Sequence, residues 1–184
     1  MAHLRRVESG NVMSLIKANL LLLSMIGILL FFGLKNLRLT IIILILLLDF
    51  LKTFLLTKYK LIFPLDFGLF AVILFGYAGL PHYSFFILPF VLLNRFINGL
   101  SKPTYLIKFP LLVFMSYSAY FLNFVYLGGL GSILIVARYA LEYILEAVLF
   151  GKMSSADLFR RALHTIFAYF FYSTIGVLIL RIIV

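Results

Sequence analysis

Apolar residues run through this chain in blocks of about twenty, interrupted by short polar breaks. Seven blocks can be drawn, over 13–34, 38–56, 61–80, 83–100, 104–127, 131–150 and 158–182. Each approaches the roughly 20 residues that a helix needs to cross a bilayer core. The breaks fall at Lys35–Arg38, Thr57–Lys60, Gly79–His82, Asn98–Thr104, Leu127–Gly131 and Gly151–Asp157, most of them marked by Gly, Pro or charge. The pattern predicts an all-α, polytopic transmembrane helical bundle of about seven spans, or six if the first block is re-entrant or peripheral. Residues 1–184 read as a single integral membrane domain with a short N-terminal tail over 1–12. The block after Met13 is too long for a typical signal-peptide core, so it is expected to stay as an anchor.

Composition sharpens this reading. Hydrophobic residues make up 65% of the 184, well above the roughly 45 to 50% of soluble domains, and the connectors leave no room for an extramembrane catalytic domain. Cys is absent, which excludes disulfides and thiolate chemistry. Gln is absent as well; the loss of both thermolabile residues suits a thermophilic prokaryote, although a membrane composition produces much of the same bias.

The net charge of +10 comes from sixteen Lys and Arg against six Asp and Glu. In a soluble protein it would point to nucleic acid. Here the bases gather in connectors, where they set topology and meet anionic headgroups, so the expected partners are a bilayer with anionic headgroups and other integral membrane subunits, with no nucleic acid. Arg5 and Arg6 in the tail, Lys58 and Lys60, Lys102, and Lys152, Arg160 and Arg161 all fall on one side of a seven-span layout. That places the N-terminus inside a prokaryotic cytoplasmic membrane. Lys35, Arg38 and Arg181 vote the other way. Ser154 and Ser155 before Asp157 predict an N-cap for the last span.

Four of the six acids, Asp49, Asp66, Glu142 and Glu146, fall inside the blocks. Ionised groups at the centre of a membrane helix cost roughly 2.5 to 3.5 kcal/mol each on insertion scales. Arg138, Glu142 and Glu146 recur every four residues and so share one helix face. With Asp49, Asp66 and Arg95 they form the candidate substrate- or ion-binding set, all in the inner half of the layout or continuing toward its centre. One reading is a polar cavity in which carboxylates bind a cation or exchange protons. The other is structural: Arg138 with Glu142, Asp49 with Lys52, and Arg95 with Asp66 or Glu146 are ion pairs holding helices together. Lys52 and Lys108 are expected to snorkel to the surface, and His164 to be a hydrogen-bonded packing residue.

Tyr117, Tyr120, Asn123, Tyr169, Tyr172, Ser173 and Thr174 form a second polar, aromatic set, for which packing is the simpler explanation in a chain with 21 Phe and 11 Tyr. Pro64, Pro89 and Pro110 are expected to bend helices. Phe75–Leu80 and Phe124–Leu130 look alike, with an arginine in each following block, yet the spacing to that arginine differs, so chance similarity is preferred to duplication. No phosphate loop, nucleophile elbow, metal-ligand spacing or cofactor motif is present, which argues against an enzyme.

The stretches Pro64-Leu65-Asp66, Phe90 to Leu100 with Asn98-Gly99, and Glu142 and Glu146 ahead of a basic turn and last span resemble in outline the rod-shape-determining protein MreD and the substrate-binding subunits of energy-coupling-factor transporters. The likeness covers about two thirds of the chain. The additional first span and a basic-loop pattern of opposite sidedness depart from those families, so no residue role is transferred. The sequence thus leads to a membrane protein with a polar intramembrane cavity for transport or binding of a small solute, ion or proton. A noncatalytic scaffold subunit of an envelope complex and a lipid-headgroup enzyme are the alternatives.

Overall fold

A computed structural model describes residues 36–60, 65–98, 105–150 and 158–184, with Leu20, Ser24 and Gly27 as isolated helical positions. The rest of the expected first span, the tail over 1–12, Lys35, Pro64, Lys102, Lys152 and the Ser154–Asp157 cap lie outside the described residues. Those described are almost wholly helical, with no strand among them. The helices are α1 (Leu37–Tyr59), α2 (Phe67–Tyr77), α3 (Ser84–Ile97), α4 (Tyr105–Phe121), α5 (Leu127–Phe150), α6 (Leu158–Phe171) and α7 (Val177–Ile183). A 3-10 turn, Pro81–Tyr83, leads into α3, and a π turn, Tyr172–Gly176, joins α6 to α7.

The helix ends follow from local chemistry. The Asn36 side chain accepts hydrogen bonds from the N–H groups of Arg38 and Leu39 at 3.1 and 3.4 Å, opening α1. Lys60 closes it in the left-handed region at φ 59°. Asp66 caps α2 by accepting from the Leu69 N–H at 3.2 Å. At the far end Gly79, at φ 81°, turns the chain: its N–H reaches the Gly76 carbonyl and that of Leu80 the Phe75 carbonyl, at 3.1 and 2.9 Å. This paired closure needs a left-handed residue that glycine adopts without steric cost.

α2 is the centre of the fold. Every residue from Gly68 to Gly76 is buried, and α1, α3, α4 and α5 surround it. A helix apolar on all sides must be enclosed. Its eleven residues rise only about 16 Å, half of a ~30 Å hydrocarbon core. α3 has fourteen residues, about 21 Å by the same rise. Among the described residues, three stretches are long and apolar enough to cross a membrane by length and composition: Leu37–Tyr59, Leu127–Leu145 and Arg161–Ile183. The described helices thus show three such stretches, and the expected count of about seven spans is not shown by them. An apolar run reads alike in sequence whether lipid or other helices surround it.

The expected break at Leu127–Gly131 is also corrected. The chain turns earlier, over Leu122–Tyr126, and Leu127–Gly131 forms the first turns of α5. Its glycines serve packing instead of breaking the helix. A Cβ on Gly128 would collide with the Ser173 side chain, and one on Gly131 with the Tyr172 ring. Likewise Gly76 lies so close to α4 that a Cβ would strike the Ser116 carbonyl. Small residues let helix backbones approach in this way. The two similar stretches are unlike in structure: Phe75–Leu80 ends α2, whereas Phe124–Leu130 contains a turn and opens α5.

Candidate functional site

The charges converge on the end of the bundle where α1 and α3 finish and α2, α4 and α6 begin. Asp49 and Lys52 stand one turn apart on α1, with Lys52 Nζ 2.8 Å from Asp49 Oδ1. Asp49 is wholly buried. Asn94 of α3 donates to Asp49 Oδ2 at 3.0 Å and to Thr53 Oγ1 at 3.1 Å, and the Thr53 hydroxyl donates to the Asp49 carbonyl at 2.8 Å. The Arg95 guanidinium lies 3.9 Å from Asp49 Oδ1. Asn98 donates back to Asn94 Oδ1 at 2.9 Å, which orients the amide. Such support is required, because a buried carboxylate left without partners costs several kcal/mol.

The network continues through Asp66. Lys52 Nζ is 4.0 Å from Asp66 Oδ1, and Arg138 Nη1 is 3.3 Å from Asp66 Oδ2. Arg138 Nε then donates to Glu142 Oε1 at 2.7 Å, a close charge-assisted bond within one turn of α5. Lys108 Nζ of α4 approaches the other Glu142 oxygen at 3.8 Å. Seven ionisable side chains, from Arg95 to Lys108, are thereby linked in one path.

His164 of α6 joins from the far wall. Its Nε2 accepts from the Asp66 backbone N–H at 3.0 Å. A nitrogen that accepts carries no proton, so the imidazole is neutral with its hydrogen on Nδ1, facing the Tyr139 hydroxyl. The Tyr139 ring lies beneath two guanidinium groups, with Arg161 and Arg138 carbons 5.2 and 5.6 Å from its centroid.

Of the predicted site residues, Asp49, Asp66, Arg95, Arg138 and Glu142 are brought together. Glu146 lies on α5, but its side chain is outside the described residues. Arg138 pairs with Glu142 and Asp49 with Lys52 as the spacings predicted, and Arg95 lies beside Asp49, a contact the spacings did not predict. Lys52 and Lys108 do not snorkel: both point inward to carboxylates, which pull their ammonium groups away from the surface. Asn94, Thr53 and Tyr139 escaped the sequence reading. Only the position of Asn94 beside Arg95 in an apolar block could have flagged it.

The second polar set is divided between exposed and buried positions. Tyr117, Tyr120 and Tyr169 are exposed, while Tyr172 is buried against α2 and α5, its hydroxyl 3.4 Å from the Leu69 carbonyl. Pro89 and Pro110 sit on exposed faces of α3 and α4, where a missing N–H opens no path through the core.

Beside the network is a cavity of about 70 Å³, large enough for several waters or a small solute group. Arg95, Lys108, Arg138 and Asp66 form its polar wall; Leu88, Val91 and Leu92 of α3 and Phe109 and Leu112 of α4 form its apolar one. This is the arrangement of small-ligand sites in general, an apolar pocket with a few convergent polar groups. Comparison with protein-family models, curated proteins and solved structures finds no match.

Proposed function

We propose that the protein is a multi-pass membrane protein that binds a small polar or ionic solute in the cavity beside Arg95, Lys108 and Arg138. Three long apolar stretches support insertion, with the short α2 enclosed among the other helices. The end bearing Lys58, Lys60 and Arg161 faces the cytoplasm by the positive-inside tendency. Two of the bases that oppose this orientation lie in the last and first turns at the other end. Of these, Arg38 serves locally, its Nε donating to the Ile183 carbonyl at 3.0 Å.

The single observation carrying the reading is a cavity that adjoins seven linked charges and is walled on its other side by aliphatic and aromatic groups. Structural pairing alone calls for charges packed against each other, without space beside them. The test is filling that space. Purified chain would be reconstituted in phosphatidylcholine vesicles and titrated with labelled sodium, chloride, phosphate and acetate. At least one should bind or cross, and Leu92→Trp, which adds bulk to the apolar wall, should remove that signal while leaving helicity unchanged.

A second reading is a noncatalytic subunit that serves as a scaffold for other membrane proteins. It is favoured by the pairing of Asp49, Asp66 and Glu142, each with at least one base. On that reading no probe binds, and a partner copurifies in fixed ratio until Glu142→Gln disturbs the charged helix and releases it.

A further inference from the structure

We infer that the turn joining α4 to α5, over residues 122–126, is a lipid-binding surface that sits in the headgroup–hydrocarbon boundary of the bilayer, on the side away from the charged end. Its partner is lipid, reached through exposed aromatic side chains. This rests on the chain being a membrane protein and is independent of what the cavity binds.

The turn exposes apolar surface that no charge interrupts. Phe121 is 70% exposed, Phe124 79% and Tyr126 55%, and Tyr120 and Leu122 are exposed beside them. Left in water, each such side chain forgoes much of the roughly 1.5 to 3 kcal/mol that burial would give. From Phe109 to Ala137 the sequence contains no Asp, Glu, Lys or Arg, whereas the charged end exposes Lys58 and Lys60 just after the middle of α1 has passed through the core. A contiguous exposed apolar patch of this kind marks contact with a membrane or another protein.

Three features select lipid as the occupant. The patch is continuous with the sides of the helices it joins, where Phe114 of α4 and Ile133 and Val136 of α5 are exposed; insertion sets those sides against acyl chains. Its tyrosines carry a hydroxyl on an apolar ring, and the exposed Asn123 adds an amide, the mixture that suits the level where acyl chains give way to headgroups. Finally, α4 has seventeen residues and rises about 26 Å, less than a ~30 Å hydrocarbon core. A helix of that length brings its end to the boundary without carrying the turn into bulk water.

The turn is also well tied. The Leu122 N–H reaches the Ser118 carbonyl and the Val125 N–H the Leu122 carbonyl, each at 3.0 Å, so these donors are met without water, as a lipid environment requires. The Tyr126 hydroxyl reaches the Ser173 carbonyl of the π turn at 3.5 Å, and the Tyr120 and Phe121 rings meet edge to face at 5.2 Å. A turn fixed in this way holds its rings in set directions and thereby sets the depth of the α4–α5 hairpin.

The chain contains no Trp, so a single introduced Trp reports from one place. Full-length Phe124→Trp, and Leu44→Trp on an exposed position of α1, would be reconstituted in phosphatidylcholine vesicles with lipids brominated either near the headgroup or near the chain end, and with aqueous iodide on both sides. Phe124→Trp should lose more fluorescence to bromine near the headgroup than to bromine near the chain end, and little to iodide; Leu44→Trp should respond to brominated chains. Strong iodide quenching of Phe124→Trp without any lipid quenching, while Leu44→Trp responds to lipid, would overturn the inference and leave the membrane reading standing. Silence of Phe124→Trp toward both quenchers would also overturn it, because a protein surface would then cover the turn. If neither Trp responded to lipid, the membrane reading would fall as well. Should Phe124→Trp fail to fold, Phe121→Trp probes the same surface with the same outcomes.

Discussion

The two ends of the bundle are held together by different physics. At the end where α2 begins, helices meet through side chains: Asp49, Lys52, Asn94, Asp66, Arg138 and Glu142 reach across gaps of 2.7 to 4.0 Å between their polar atoms. At the other end they meet through glycines, with Gly76 against the Ser116 backbone and Gly128 and Gly131 against the Ser173 and Tyr172 side chains of the π turn. Long side chains leave space between helices, and glycine removes it. The cavity lies beside the charges, while at the other end Gly76, Gly128 and Gly131 leave no room for a Cβ. Glycine contact also occurs at the charged end, where Gly68 meets Val91, but there the long charged side chains leave space beside it.

This contrast can be broken by substitution at either end. The largest effect is expected for Asp49→Asn, which removes the carboxylate beside Lys52 and Arg95 and leaves their charges buried; thermal unfolding in detergent should show a loss of about 3 to 5 kcal/mol. Gly76→Ala forces a methyl group into the Ser116 carbonyl, which has no rotamer to escape by, and should cost about 1 to 3 kcal/mol. A double variant joining these two should add to within about 0.5 kcal/mol if the ends are independent. Coupling well above that would show that the two ends act as one unit.

His164→Phe removes the acceptor for the Asp66 N–H and leaves the Tyr139 hydroxyl facing a ring edge. A loss of about 1 to 3 kcal/mol is expected for an unmet buried donor. If the loss were absent, His164 would not be holding the cap of α2 in place. The smallest effect is expected for Tyr172→Phe, whose hydroxyl makes only a 3.4 Å contact with the Leu69 carbonyl; about 0.6 kcal/mol is the usual scale for such bonds between membrane helices. An effect several times larger would mean that the glycine end also depends on polar contacts.

Much of the helical character was legible because long apolar blocks have few alternatives to helix once water is excluded. Boundaries with a local cause were readable too. The Gly79–His82 break, with its Gly and Pro, predicted the turn that closes α2, and Lys60 marks the end of α1. The glycines of Leu127–Gly131 misled, because glycine breaks a helix in water and permits close packing between helices, and only the neighbour decides which. The two i,i+3 and i,i+4 pairs, Asp49 with Lys52 and Arg138 with Glu142, were visible because helical geometry places such residues together. Arg95 with Asp49, Asn94 with Asp49 and Lys108 with Glu142 were not, because nothing local brings residues 34 to 46 positions apart into contact.

The sequence by itself determined that the chain is helical and strongly apolar, and that several ionised groups had to find partners away from lipid, since those follow from composition and from the period of the helix. Tertiary structure alone decided that α2 is an enclosed core helix, that Lys52 and Lys108 turn toward carboxylates, and that Asp66, Arg95, Lys108 and Arg138 share one cavity wall. These depend on which helices adjoin one another. Hydrophobicity does not encode adjacency, because lipid and a neighbouring helix present nearly the same environment to an apolar side chain.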